Sequence, residues 1–298
     1  MSAPVLLYIV DVFAEERYSG NQLAVFRHAQ HLTTEQMRLL AREMNFSEST
    51  FIVDEWRAAE SFPVRIFTPA TELPFAGHPT LGTAFVIQQE VLAGECVPQV
   101  NLELSVGRIP VRFEYGEEGP ERLWMRQNSP VFGPVVEREL VQRALGLAGS
   151  ELAPLPAEVV STGLPFIIAP LASRAALSKA RLTSDQRLLK RLPLMAFLLF
   201  CPETRSPANQ LSVRVFAHQY GVPEDPATGS ANGCLAAYLV RHRYFGTDAI
   251  DIRVEQGHEV GRPSLLLLRS RREGETMRVE VGGKVIMVAN GELLERSG

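Results

Sequence analysis

Glu48, His78, Asp225 and Ser230 carry the chemistry this sequence offers. Glu48 sits in Met44-Asn45-Phe46-Ser47-Glu48-Ser49-Thr50, where Phe46 and the hydroxyls could desolvate a carboxylate. Desolvation raises a carboxyl pKa, as a general base for a carbon acid requires. A carboxylate in a connection is otherwise a solvated charge. His78 can relay a proton or polarise a substrate hydroxyl or carboxylate; its plainer role is a bond to a backbone carbonyl. Asp225, before Pro226, suits an Asx-type turn or a contact to a substrate amino or hydroxyl group. Ser230 is expected as the N-cap of the helix that follows, which is compatible with contacting an anion. Asn21, in Ser19-Gly20-Asn21, is a turn residue in the plainer reading and a substrate contact in the other. Cys234 follows Gly233 and reads as a small buried apolar side chain.

Gly77 and Gly229 each precede a helical pattern. The first turn of a helix leaves backbone N–H groups without intrahelical partners, and its dipole adds positive character. Glycine there lets a ligand approach the backbone closely. Two such termini facing a shared cleft would hold a carboxylate or a developing enolate without a metal. Competing sites are not encoded. Gly77-His78-Pro79-Thr80-Leu81-Gly82 lacks the lysine of a phosphate-binding loop. Thr228, two before Ser230, stands where a nucleophile elbow needs glycine. No G-x-G-x-x-G follows a strand, so no nicotinamide or flavin is expected. Cys96, Cys201 and Cys234 form no C-x-x-C, and the histidines have no metal spacing, so neither disulfides nor a metal is expected.

The elements that must position these residues can be read from patterning. The chain has 298 residues, 46% hydrophobic and 21% charged, with net charge −4, enough for one large or two ordinary domains. Nothing in that balance invites nucleic acid. The arginines at 269, 271, 272 and 278 alternate with Glu273 and Glu275 and predict a solvated hairpin. The opening segment reads as a strand rather than a signal peptide, and Leu192–Cys201 is half the length of a membrane span. A soluble, cytoplasmic protein is expected. Strands are predicted at 5–12, 23–26, 50–53, 64–67, 100–104 and 108–113, with only two helices in the first half. One is Thr34–Met44, with Thr33 and Gln36 as a capping box; the other is about Thr80–Gln89. The second half predicts strands at 159–161, 165–168, 194–201 and 211–216, helices at 184–191 and 231–242, and strands at 252–255, 264–270, 277–281 and 284–288. Many strands with few helices indicate an α+β mixture.

An internal similarity organises the whole. Val64-Arg65-Ile66-Phe67 matches Val213-Arg214-Val215-Phe216 at an offset of 149, and Pro74-Phe75-Ala76-Gly77-His78 matches Pro226-Ala227-Thr228-Gly229-Ser230 at an offset of 152. Both stretches run strand, loop, glycine, helix, and predict a duplicated domain. Pro-rich segments at 127–134 and 152–156 bracket the boundary, giving domains 1–128 and 129–298.

These residues resemble the PhzF-like family of phenazine biosynthesis. The resemblance runs through Asp11-Val12-Phe13, Gly20-Asn21, Ala41-Arg42-Glu43-Met44-Asn45-Phe46-Ser47-Glu48, Ile66-Phe67-Thr68-Pro69 and Glu72 to Thr80. It continues at Glu224 to Gly233, Gly257, Glu259 and Gly261-Arg262-Pro263-Ser264. It implies a diaminopimelate epimerase-like fold, two pseudo-symmetric α/β domains each with a sheet wrapped around a central helix, whose last strand can cross back to the first domain. It also implies a cofactor-independent isomerase that moves a proton between carbons of a small cyclic carboxylate, trans-2,3-dihydro-3-hydroxyanthranilate in the characterised members. Glu48 would shuttle the proton, with His78 and Asp225 assisting. Asn21, Ser230, Gly77 and Gly229 would bind substrate. Related epimerases use two opposed thiols; Ala76 and Thr228 occupy those positions here, so one-base chemistry is implied. A homodimer is the family expectation. The alternatives are an isomerase or epimerase of another small carboxylate, or a binding protein that has lost catalysis.

Overall fold

A computed structural model describes residues 4–55 and 61–294; Met1–Ala3, where the opening segment begins, lie outside them. The described residues form two compact units, one up to Arg126 together with the segment from Gly282 onward, the other Gln127–Val281. The first contains β1 (Leu6–Val12), β2 (Asn21–Arg27), α1 (Thr34–Met44), β3 (Glu48–Ile52), β4 (Phe62–Phe67), the short β5 (Glu72–Leu73), α2 (Gly77–Val86), β6 (Gln99–Leu104), β7 (Gly107–Gly116) and β8 (Gly119–Arg126). The second begins with β9 (Val131–Val136), α3 (Arg138–Leu145), β10 (Ala157–Ser161), β11 (Pro165–Pro170), α4 (Arg174–Lys179), α5 (Gln186–Leu189) and β12 (Phe197–Cys201). It continues with β13 (Leu211–Ala217), β14 (Val222–Asp225), α6 (Gly229–Arg241), β15 (Ala249–Gln256), β16 (Ser264–Glu273) and β17 (Thr276–Gly283). The last strand, β18 (Val285–Glu292), pairs antiparallel with β1.

Both units are wired alike. In the first, β1 is antiparallel to β2, β2 parallel to β3, β3 antiparallel to β4, and β4 antiparallel to β5 and parallel to β6. In the second, β10, β11, β12, β13, β14 and β15 repeat that order with the same directions. The strand pairs β6–β7 and β15–β16 continue both sheets antiparallel.

The matched sequence motifs make matched contacts. Arg65 forks onto Glu72 at 2.8 and 2.7 Å, and Arg214 onto Glu224 at 2.8 and 2.8 Å. Each guanidinium also lies over the phenylalanine two residues on, 5.0 Å from Phe67 and 4.8 Å from Phe216. In each unit this clamp ties strand to return strand just before the central helix. Thr80 donates to the Ala76 carbonyl at 2.7 Å, and Asn232, at the matching place, donates to the Thr228 carbonyl at 3.0 Å.

The central helices are apolar all round because the sheets enclose them. Every residue of α2 is buried, and in α6 all but Arg241. Gly82 allows this closeness: a Cβ there would sit 2.6 Å from Leu23 and 2.9 Å from Val12. By contrast α1 packs by one face, burying Met37 and Ala41 over Phe26, Phe51 and Phe67. Its capping box is as expected, with Thr33 accepting from the Gln36 amide and Gln36 from that of Thr33.

Several sequence expectations need correction. α2 begins at Gly77 rather than Thr80, because Pro79 fits a first turn whose N–H groups have no intrahelical partner anyway. α6 begins at Gly229, two residues earlier than expected. The first half holds a third helix, α3, too short for a clear periodicity but burying Leu140, Val141, Ala144 and Leu145. The second holds α4, and the expected helix at 184–191 contracts to the single turn α5. β8 and β9 were not anticipated, the latter inside the Pro-rich segment. The arginine-rich hairpin is present as β16–β17, turning at Gly274 with φ +63°.

Candidate active site

Glu48 opens β3 directly after α1, which ends at Asn45 in the left-handed conformation (φ +53°). Its side chain is 16% exposed. Across the sheet, the N-terminus of α2 brings His78 so that its Nε2 lies 3.6 Å from Glu48 Oε2. That is longer than a hydrogen bond. Burial pushes the His78 imidazole down to about 3, against a raising contact from the Gln22 backbone. The ring is therefore neutral near pH 7, and the pair is a carboxylate beside a neutral imidazole rather than an ion pair.

Asn21, the first residue of β2, lies with its Nδ2 3.3 Å from His78 Nδ1. Nε2 is thus the nitrogen that faces Glu48. The turn before Asn21 requires glycine: Gly20 has φ +68°, and a Cβ would approach the Val12 carbonyl to 2.4 Å. Asp11 helps hold this turn by accepting from the Tyr18 amide at 2.6 Å. The structure therefore gathers Asn21, Glu48, Gly77 and His78 around one helix terminus. Ala76 is the N-cap of α2 and has no side chain to satisfy the first-turn N–H groups.

In the second unit, Asp225 and Ser230 are 7% and 5% exposed. Here the N-cap is Thr228, not Ser230, which is the second residue of the helix. Thr228 is extended (φ −114°), and its hydroxyl donates to Asp225 Oδ2 at 2.5 Å instead of accepting from the helix. The sequence gives no binding or positioning role to Thr228, Asn232 or Gln256, which join Asp225 in one hydrogen-bonded group. The only signal for Gln256 was its place before Gly257. Cys234 is buried, and burial pushes its thiol up to about 11, so it is not a nucleophile.

The duplication allows the two units to be compared position by position. Ser49 pairs with Phe67 and Phe197 with Phe216, so Ala196 stands where Glu48 does. Ser230 matches His78, and Leu164 matches Asn21. The first unit alone carries a carboxylate at that position. Ala76 and Thr228 are both helix N-caps. Among the described residues, no group of three or more His, Cys, Asp or Glu converges to hold a metal ion.

Comparison with known proteins meets the same family. The family model described as phenazine biosynthesis-like protein, PhzC–PhzF, matches residues 10–291. A trans-2,3-dihydro-3-hydroxyanthranilate isomerase of Pseudomonas aeruginosa is 38% identical over 95% of this chain and 97% of its own. A crystal structure of a Bacillus anthracis phenazine biosynthesis protein of the PhzF family superimposes with TM-score 0.87 at 25% identity, covering 98% of this chain and all (100%) of that one. A structure described as a predicted epimerase of Pseudomonas aeruginosa superimposes with TM-score 0.82 at 32% identity, covering 98% and 100%. Duplicated sheets around buried helices are the diaminopimelate epimerase-like architecture, and the curated relatives are named isomerases. The chain belongs to the PhzC–PhzF phenazine biosynthesis-like family, and it is an isomerase.

Proposed function

We propose that this isomerase converts trans-2,3-dihydro-3-hydroxyanthranilate, or a close small cyclic carboxylate, by moving a proton between carbons with Glu48 as the acid/base. The observation that carries this reading is the Glu48 carboxylate 3.6 Å from an imidazole that burial keeps neutral. A neutral ring sets no positive charge against the Glu48 carboxyl, and Nε2 is placed to steady that carboxyl or a substrate hydroxyl. Ala196 at the matching place in the second unit supports one base rather than two.

Glu48 removes a proton from an acidified C–H and returns it to another carbon of the conjugated system. The uncapped terminus of α2 favours the negative charge that develops on the substrate. On the family resemblance Asp225 is assigned to assist the proton transfer and Ser230 to contact substrate, with Gly77 and Gly229 as backbone donors. Positioned acid/base catalysis contributes typically about 10²–10⁴-fold, and orientation with charge stabilisation supplies the remainder. The same resemblance supports a cytoplasmic homodimer, which sedimentation would test.

The deciding experiment incubates the protein with trans-2,3-dihydro-3-hydroxyanthranilate in deuterated water and follows absorbance and mass. Wild type should consume the substrate, and Glu48→Gln should bind it but lose at least about 10²-fold in kcat. Normal turnover by Glu48→Gln would sink the mechanism. An inert wild type would remove this substrate, and a small-carboxylate thermal-shift screen would then identify what is bound.

A further inference from the structure

Gln256 ends β15 and is 1% exposed. Its Nε2 donates to the Asp225 carbonyl at 2.8 Å and to Thr228 Oγ1 at 3.1 Å. Its Oε1 accepts from the Thr228 amide at 3.3 Å and from Asn232 Nδ2 at 2.9 Å. The orientation of this carboxamide is fixed by chemistry: the Asp225 carbonyl can only accept, and the Thr228 amide can only donate. The Thr228 hydroxyl accepts from Gln256 and donates to the Asp225 carboxylate, so one polarised chain runs from carboxamide to carboxylate.

A second observation shows that this strand end is pressed against the same loop. Gly257 has φ +81°, and a Cβ there would lie 2.5 Å from the Pro226 carbonyl and 2.2 Å from that of Arg262. At the matching position the first unit carries a leucine, which cannot make these bonds: Val213 pairs with Gln256, and continuing the β4–β6 register sets Leu104 opposite Val64. The clamp belongs to the unit whose loop carries Asp225.

We infer that Gln256 is a positioning residue for this isomerase: it sets the Asp225 carboxylate and the N-terminus of α6 and does not itself meet the substrate. This rests on the assisting role of Asp225 proposed above. Gln256→Glu keeps the shape but places a carboxylate oxygen against the Asp225 carbonyl. Its kcat/KM for trans-2,3-dihydro-3-hydroxyanthranilate should fall about 10- to 100-fold at pH 8. Relative to wild type it should recover toward pH 5.5, where a protonated carboxyl regains one donor. Gln256→Leu should lose activity at every pH. In the Asp225→Asn background the Leu change should cost less than about threefold further, because it acts through Asp225. Independent, multiplying losses, or wild-type kcat/KM in Gln256→Leu, overturn the inference. Hydrogen exchange separates this from failure of the functional reading. The Thr228 amide should exchange at least about tenfold faster in Gln256→Leu while β1 is unchanged, whether or not this substrate is turned over. Unchanged Thr228 exchange overturns the clamp. Gln256→Met, close in size but without the carboxamide, supplies the same readout if the Leu variant does not fold.

Discussion

The pairing of Glu48 with His78 gives the site its pH character, and the imidazole can be tested through stability as well as rate. The unfolded chain takes up a proton on this ring near 6.5 and the folded chain only near 3. Between those values the unfolded state binds more protons, so stability rises with pH across the window and is lost as pH falls. The slope from this one group approaches about 1.4 kcal/mol per pH unit. His78→Asn should therefore flatten the denaturant midpoint between pH 5 and 6.5, and an unchanged slope would contradict the neutral buried ring. The two arginine clamps make a second test. Arg214 is only 2% exposed at its side chain and also donates to the carbonyls of Leu177 and Ala180, whereas Arg65 is 29% exposed. Arg214→Ala should cost about 3–5 kcal/mol by stranding buried partners, and Arg65→Ala about 1 kcal/mol or less, measured by urea unfolding. At this scale the residue types were legible: a carboxylate among hydroxyls, a histidine after glycine, an Asp-Pro. That His78 faces Glu48 was not, since 30 residues and two strands separate them.

Among the elements, α1 was readable to its ends because its signals are local: an amphipathic stripe, a capping box and a left-handed Asn45 at its close. Thr33→Ala should lower stability by about 1 kcal/mol, seen as a drop in Tm without loss of activity. The central helices were readable as helices but not in their starts. Their first residues, Gly-His-Pro and Gly-Ser, look like loop sequence until a sheet surrounds them. Gly82→Ala puts a methyl 2.6 Å from Leu23 where helix and sheet are in direct contact. It should destabilise by about 1–3 kcal/mol despite the better helix propensity of alanine, because overpacking outweighs it; a neutral or stabilised variant would show that the sheet yields. α3 and α4 are not legible because each is short, and β9 because Val131 and Val135 are exposed and leave it no buried alternation.

For the whole molecule, sheet connectivity matters more than sequence order. β18 lies against β1 over seven residues each, although nearly the entire chain separates them. Truncation after Gly283 should expose the β1 edge, raise amide exchange across Leu6–Val12 and lower Tm, while the amides of β12 in the second unit keep their protection. Equal loss of protection in both places would show that the units do not open separately. The sequence by itself determined the α+β class, the duplication, the family and the residues able to do chemistry, because these are written in local periodicity and in motifs repeated at a constant offset. Only the tertiary structure decided that Arg65 and Arg214 make the same clamp, that Asn21 meets His78, that Thr228 rather than Ser230 caps α6, and that Gln256 holds the Asp225 loop. Those facts depend on strand register and burial. Sequence distance does not encode which side chains a closed sheet brings within 3 Å, nor which of them it strips of water.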